Sequence, residues 1–254
     1  MRTLLSFIMV WVATIPLATL AVIGRLLARH EGENAVAQWC MRTWARCLCA
    51  AAGARVVVHN PERMWPTRGT VYASNHVSWY DVFAIASVLP RYTFIAKSEL
   101  RKIPIFGIGA ESAGVVFLAR ENRKSAFESY HGAAAEVQRG KNVVVFPEGT
   151  RGHEYALRPF KKGPFVLAIA AKAPVVPVLV YGAREVMRRG SFHVRAGTVH
   201  VHFLEAVETA GFDYERRHEV MCAVWERMAT CLRDEYGIES RDGPIAEPAS
   251  EQTA

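Results

Sequence analysis

Disulfide and zinc chemistry have little to work with in this chain of 254 residues. Its five cysteines, Cys40, Cys47, Cys49, Cys222 and Cys231, are odd in number, lack metal-ligand spacing and fall on apolar or helical stretches. They read as reduced residues of a core or membrane segment in a cytosol-facing protein. Acidic residues are also scarce, 24 against 31 lysines and arginines. Four of them, Glu239, Asp242, Glu247 and Glu251, sit in the last stretch beside Arg241 alone, so the net charge of +7 becomes +10 over the rest. Such a body suits a polyanion, a phosphorylated substrate or an anionic membrane surface. Nucleic acid is the weakest of these partners, because no binding module accompanies the charge.

Charge is missing altogether from Thr3 to Gly24. As a helix that run is roughly 33 Å long, enough to cross a hydrocarbon core. It is longer than the apolar region of a cleaved signal peptide, and no small-x-small cleavage site follows. Arg25, Arg29, Arg42 and Arg46 lie on its carboxyl side, which places the body in the cytoplasm if the segment spans. Pro16 leaves room for a kinked helix that only dips into one leaflet. Ala35 to Ala52 is apolar except for Arg42 and Arg46, four apart on one face near Trp39 and Trp44. It reads either as a helix in the membrane interface or as one packed on the body with its arginines in water. The expected division is a membrane-anchoring helical segment over 1–53, an α/β domain over 54–236 and a disordered tail over 237–254. No internal repeat interrupts it.

Strands are expected at Ala54–His59, Thr70–Ser74, Tyr92–Ala96, Gly114–Leu118, Asn142–Phe146, Val175–Tyr181 and Thr198–Leu204. Helical spacing appears in the run from Val82, in Arg123–Arg139, where Gly140 is the stop, and in Asp213–Tyr236. Strands alternating with helices argue for an α/β fold with a mostly parallel sheet flanked by helices.

The most informative stretch is Ser74-Asn75-His76-Val77-Ser78-Trp79-Tyr80-Asp81, between a strand and a helix. That is where open α/β sheets place their active sites. Imidazole is the one side chain of this stretch suited both to taking a proton and to returning it, which singles out His76. With His76 in the loop and Asp81 in the first turn of the helix, the carboxylate can meet the imidazole and fix its tautomer. The same residues also read as a Ser78-x-x-Asp81 capping box with His76 as a turn residue.

A second stretch, Val143 to Arg151, is a buried strand ended by Pro147, then Glu148, Gly149, Thr150 and Arg151. Arg151 offers a planar fork for a phosphate, and Gly149 lets backbone approach a ligand. Glu148 is placed to accept from a substrate hydroxyl or to hold Arg151. Arg158, Lys161, Lys162 and Lys172 follow, and a solvated basic loop is the plainer reading of this stretch by itself. Lys97 and Arg120 each stand just past a strand, as His76 and Arg151 do. Four strands thus deliver their side chains to one rim of the sheet.

In order along the chain, Asn75-His76…Asp81, Lys97…Pro104…Gly107 with Gly114…Phe117…Arg120, Phe146-Pro147-Glu148-Gly149-Thr150-Arg151 and Val176-Pro177-Val178 resemble the four signature blocks of the 1-acylglycerol-3-phosphate (lysophosphatidic acid) acyltransferase family. The resemblance runs from about the membrane-proximal helix to Tyr181. It implies a glycerolipid acyltransferase fold and acyl transfer from acyl-CoA or acyl carrier protein to the sn-2 hydroxyl of 1-acyl-glycerol-3-phosphate, giving phosphatidic acid. His76 is then the general base, Asp81 its orienting partner, and Glu148, Gly149, Thr150, Arg151, Arg120 and Lys97 the substrate-binding set. It implies no cofactor beyond the thioester co-substrate. The protein is expected at the inner or another membrane, with the catalytic domain facing the cytoplasm. Ala119 departs from the pattern, since many members carry an acid there, and that bears on acceptor preference.

Three rival readings remain. Another lyso-lipid, such as lyso-ornithine lipid, is an alternative acceptor. A serine esterase would use Ser112 in Ala110-Glu111-Ser112-Ala113-Gly114, but a nucleophile elbow wants glycine at Ala110 and a strand before the serine. A non-catalytic membrane-surface binder leaves the His/Asp pair and Glu148 without a role. His200 and His202 can share one strand face, but no third metal ligand is evident, and they read as ordinary strand histidines.

Overall fold

In the computed structural model, residues 1–27, 35–64, 69–118 and 123–245 are described. The chain opens with two helices, α1 (Arg2–Leu27) and α2 (Ala35–Ala52). Then come β1 (Ala54–His59), β2 (Val71–Ser74), α3 (Trp79–Val88), β3 (Thr93–Lys97), α4 (Phe106–Ser112) and β4 (Val116–Leu118). The second half runs α5 (Arg123–Gln138), β5 (Val143–Val145), α6 (Gly163–Ala171), β6 (Val175–Tyr181), α7 (Ala183–Val186), β7 (Gly197–Phe203) and α8 (Arg217–Tyr236). Each strand falls inside or within a residue of its expected place.

The strands form one sheet in the order β1-β7-β6-β2-β5-β3-β4. Pairs among β2, β3, β4, β5 and β6 are parallel, and β7 alone reverses against β6, with β1 parallel to β7. The continuous apolar runs follow from this, because a parallel sheet is covered on both faces. Alternate residues serve opposite cores. Val71, Ala73, Val143 and Val145 pack with α5, α6 and α8 residues such as Phe165 and Trp225. Tyr72 and Val144 pack with Ile85 of α3 and Ala45 and Ala52 of α2.

Helix boundaries follow local chemistry. Helix α5 ends where expected, with Gly140 at φ +91° and its N–H bonded to Val137 O. Helix α8 starts at Arg217 rather than Asp213, because Asp213 Oδ1 accepts the Arg216 N–H in a turn ahead of it. Helix α3 starts at Trp79, earlier than the apolar run at Val82. Ser78 is its N-cap, and its Oγ accepts the Tyr80 N–H.

The arginines of α2 differ from both expectations for that segment. Arg42 bonds Pro90 O, and Arg46 Nε donates to Ser87 O at 3.0 Å. Two cations thus sit at the carboxyl end of α3, where the helix leaves carbonyls unpaired and its dipole is negative.

Helix α1 runs unbroken through Pro16 and touches the body along its whole length. Val194 N donates to Thr3 Oγ1, Phe7 meets Phe192 with ring centroids 6.0 Å apart, and Arg25 reaches Glu111 O. Midway, Trp44 Nε1 donates to Thr14 Oγ1. A Cβ at Gly109 would stand 2.6 Å from that of Ala18, so only glycine permits this approach of α4 to α1. The opposite face of α1 exposes Leu4, Ile8, Trp11, Val12 and Ile15. It is the one helix among the described residues with the length and apolarity to cross a bilayer.

Part of the tail expected to be disordered is ordered against the body. Ile238 packs on the core, Leu157 N donates to Ser240 Oγ at 2.9 Å, and Phe160 N donates to Pro244 O at 3.0 Å. These bonds satisfy backbone donors of the loop before α6, which composition does not disclose. Residues 246–254 lie outside the described residues.

Candidate active site

Parallel strands put their carboxyl ends on one rim, and there β2 and β5, side by side, deliver the two informative loops. Asn75 fixes the first. It is 1% exposed, its Nδ2 donates to Val180 O, and its Oδ1 accepts the Val180 N–H, extending the ladder to β6 by a side chain. The next residue, His76, then has to leave the sheet at the rim.

His76 Nδ1 lies 3.0 Å from Asp81 Oδ2. The same oxygen accepts the N–H groups of Val77 at 2.6 Å and Ser78 at 2.7 Å. The capping box and the His76–Asp81 contact are therefore formed by one side chain. Asp81 completes the capping box of α3 and also orients the imidazole. Acceptance at Asp81 assigns the proton to Nδ1 and leaves Nε2 as the basic nitrogen. The ring stacks on Phe146 at 4.2 Å between centroids, which fixes its plane.

Glu148 does not line the cavity and does not hold Arg151. Its Oε1 accepts the His76 N–H at 3.0 Å and its Oε2 accepts from Arg158 Nε at 2.8 Å. Arg158 also bonds Thr150 O and Thr150 Oγ1, while Gly152 N donates to His76 O at 2.6 Å. Glu148 thus ties the two loops together, with Arg158 as its counterion. The sequence signal for Arg158 was only a cation ten residues along in a basic run.

Burial raises the Glu148 carboxyl to about 7, outweighing Arg158 and the His76 N–H, which pull it down. The folded chain then binds this proton more tightly than the unfolded chain does. The stability tied to Glu148 is full below the ordinary carboxylate range and declines as pH rises towards about 7. Glu148→Gln cannot ionise and should lose this dependence. Denaturant melts at matched ionic strength should show the difference between the two proteins shifting towards E148Q as pH climbs from about 4.5 to about 7. A constant difference across that range would contradict it.

A cavity of about 400 Å³ opens beside His76. Its polar mouth holds His76, Gly149, Thr150, Arg151, Arg189 and Lys97. Gly149, at φ +79°, turns the chain between Glu148 and the cavity-lining Thr150 and Arg151. Arg151 stands 4.8 Å over the Trp79 ring, a cation on an aromatic face. Burial first, and then the charge of Arg189, lower its affinity for its proton. Away from the mouth the wall is apolar, with Leu17 and Ala21 of α1, Met41 and Trp44 of α2, Phe83 of α3 and Phe106 of α4. Helices α1 and α2 therefore build part of the cavity wall, which their apolar sequence did not reveal. Arg120 lies outside the described residues.

Ser112 ends helix α4 ahead of strand β4, the reverse of the strand-to-helix order that a nucleophile elbow needs. His200 and His202 acquire a third neighbour, His59, across the β1–β7 pair, with possible ligand atoms within 4.8 Å of one another. One nitrogen of each already has a partner, however. His59 Nε2 meets His200 Nδ1 at 3.0 Å, and His202 Nε2 meets Tyr236 Oη at 2.6 Å. His59 and His202 also stack face to face at 4.0 Å with 3° between planes, so their lone pairs do not converge on one ion.

The acyltransferase family model matches residues 55–181. The human 1-acyl-sn-glycerol-3-phosphate acyltransferase alpha is 30% identical over 226 residues, 88% of this chain and 80% of that one. The human beta form is 33% identical over 187 residues, 73% of this chain and 67% of that one. The matched part spans 64% of a relative from Caenorhabditis elegans and 35% of one from Brassica napus. The crystal structure of the 1-acyl-sn-glycerophosphate (LPA) acyltransferase PlsC from Thermotoga maritima superposes with a TM-score of 0.75. That likeness is at 26% identity and covers 89% of this chain and 92% of that one.

Proposed function

This chain belongs to the acyltransferase family, and we propose that it moves an acyl group from an acyl thioester to the sn-2 hydroxyl of 1-acyl-glycerol-3-phosphate. The observation that carries the reading is the His76–Asp81 pair at the junction of a cationic mouth and an apolar cavity. A thioester is already activated, so the reaction needs no covalent enzyme intermediate. His76 Nε2 takes the hydroxyl proton as the oxygen attacks the thioester carbonyl. The C–S bond then breaks, and the imidazolium returns the proton to the thiolate. Asp81 steadies the imidazolium between the two steps. Arg151 and Lys97 supply positive field for the acceptor phosphate and for the oxyanion.

The substrates enter from a membrane. Because α1 touches the body at both ends and in the middle, it cannot stand across a bilayer with the body clear of it. The exposed apolar face of α1 instead enters one leaflet, with the body at the surface and its basic residues on the anionic cytoplasmic side. The acyl chains of both substrates then reach the cavity wall made by α1 and α2 without leaving the lipid.

The test is a transfer assay with the purified full chain, using acyl-CoA and acyl carrier protein as donors. The acceptors are 1-acyl-glycerol-3-phosphate, lysophosphatidylcholine and lyso-ornithine lipid. Phosphatidic acid should dominate. Preferential acylation of lyso-ornithine lipid would replace the acceptor, and hydrolysis without transfer would remove the reading.

A further inference from the structure

Arg189 lines the same mouth as His76 and Arg151, yet it lies beyond the matched family region and in none of the signature stretches. Its place is set by the catalytic loop. Ser78 Oγ, from the N-cap of α3, donates to Met187 O at 2.7 Å and fastens the 187–190 turn against the His76 loop. Gly190, at φ +79°, then turns the chain back, and Ser191 N closes on Arg188 O at 3.1 Å. Arg189 in turn donates through Nη1 to Arg151 O, which keeps the two residues together.

Two guanidinium groups on one cavity mouth repel each other unless an anion lies between them. The nearby acids are engaged elsewhere. Glu148 is held by Arg158 and the His76 N–H, and Glu185 by Tyr155 and Arg184. Asp81 gives Oδ2 to His76 and two backbone donors, and its charge acts on Arg151 only from beyond ion-pair distance, with Oδ1 buried and without a hydrogen-bond partner. Among the described residues no carboxylate lies within ion-pair distance of Arg151 or Arg189. A pair of planar forks without a counterion matches the several oxygens of a phosphate monoester, which carries nearly two charges at neutral pH.

We propose that Arg189 and Arg151 together clamp the terminal phosphate of the acceptor, so that the site selects a dianionic phosphate monoester over a singly charged diester. The proposal rests on the acyltransferase reading and adds to it the residue that discriminates headgroup charge. Arg189 is a binding residue, and it takes no part in proton transfer.

The experiment compares the full-length protein with R189Q, R189K and R188Q in neutral phosphatidylcholine vesicles. The acceptors are 1-acyl-glycerol-3-phosphate and its phosphomethyl ester, which keeps the phosphate and loses one charge. R189Q should raise KM for the monoester by about tenfold, equivalent to about 1.4 kcal/mol, with a smaller fall in kcat. For the diester the KM change should stay below about threefold, so the preference for the monoester shrinks. R189K, which keeps the charge without the fork, should fall between R189Q and wild type. R188Q removes the same charge one residue away, outside the cavity lining, and should leave the monoester KM within about twofold.

The clamp is overturned if R189Q leaves the monoester KM within twofold, if it moves both acceptors equally, or if R188Q matches it, which would make the effect one of surface charge. Should R189Q melt below the assay temperature, R189K must still raise the monoester KM, and an unchanged value overturns the clamp. Wild-type protein that makes no phosphatidic acid at all removes the acyltransferase reading itself, and the clamp with it.

Discussion

Replacing His76 by alanine is expected to cut turnover by about 10²- to 10⁴-fold, the range by which a positioned general base accelerates proton transfer. The loss should fall on kcat, because the phosphate contacts and the apolar cavity wall remain. The fold should survive. Asp81 Oδ2 keeps the N–H groups of Val77 and Ser78, so the deletion does not strand a buried carboxylate without donors. The His76 N–H and C=O belong to the backbone, so the Glu148 and Gly152 bonds that join the loops are also kept. Initial rates of phosphatidic acid formation, with thermal melts of the same preparations, separate the two effects. A variant that kept a tenth of wild-type kcat would show that the proton leaves by another route.

Local chemistry made much of this legible in advance. Val71, Val143 and Val175 head short runs bounded by glycine, proline or asparagine, and each is a strand in the parallel sheet. Because parallel strands share a rim, placing His76, Lys97 and Arg151 just past three of them was enough to bring them together. The unread parts depend on residues far apart in the chain. Glu148 looked like a substrate ligand because nothing near it in sequence shows that Arg158 and the His76 N–H occupy its oxygens. Arg42 and Arg46 looked like membrane or solvent arginines because the carbonyls they bond, on Pro90 and Ser87, are more than 40 residues away. His59 joined His200 and His202 through the pairing of β1 with β7, which run 141 residues apart at that bond. Strand periodicity fixes which face a side chain takes, but not which strand lies next to it.

Asp81 is the place where folding and catalysis share one atom, and substitutions there should separate the two. Asp81→Asn keeps an oxygen that can accept from Val77 and Ser78, so the cap of α3 is weakened rather than lost. With that oxygen at the Oδ2 position the N–H₂ takes the place of Oδ1, so His76 Nδ1–H keeps an acceptor but the imidazolium loses the negative charge that steadies it. Turnover should therefore fall by about 10²- to 10⁴-fold while the melting temperature changes little. Asp81→Ala should lose a similar factor in kcat and also about 1–3 kcal/mol of stability, because two buried backbone donors are left without an acceptor. The decisive measurement is the double variant. If Asp81 acts through His76, then D81N introduced into H76A should lower kcat by no more than about twofold, since residues working as one unit are far from additive. A further fall of about a hundredfold would mean that the carboxylate meets the substrate on its own account, and the assignment of Asp81 as a positioning residue would fail.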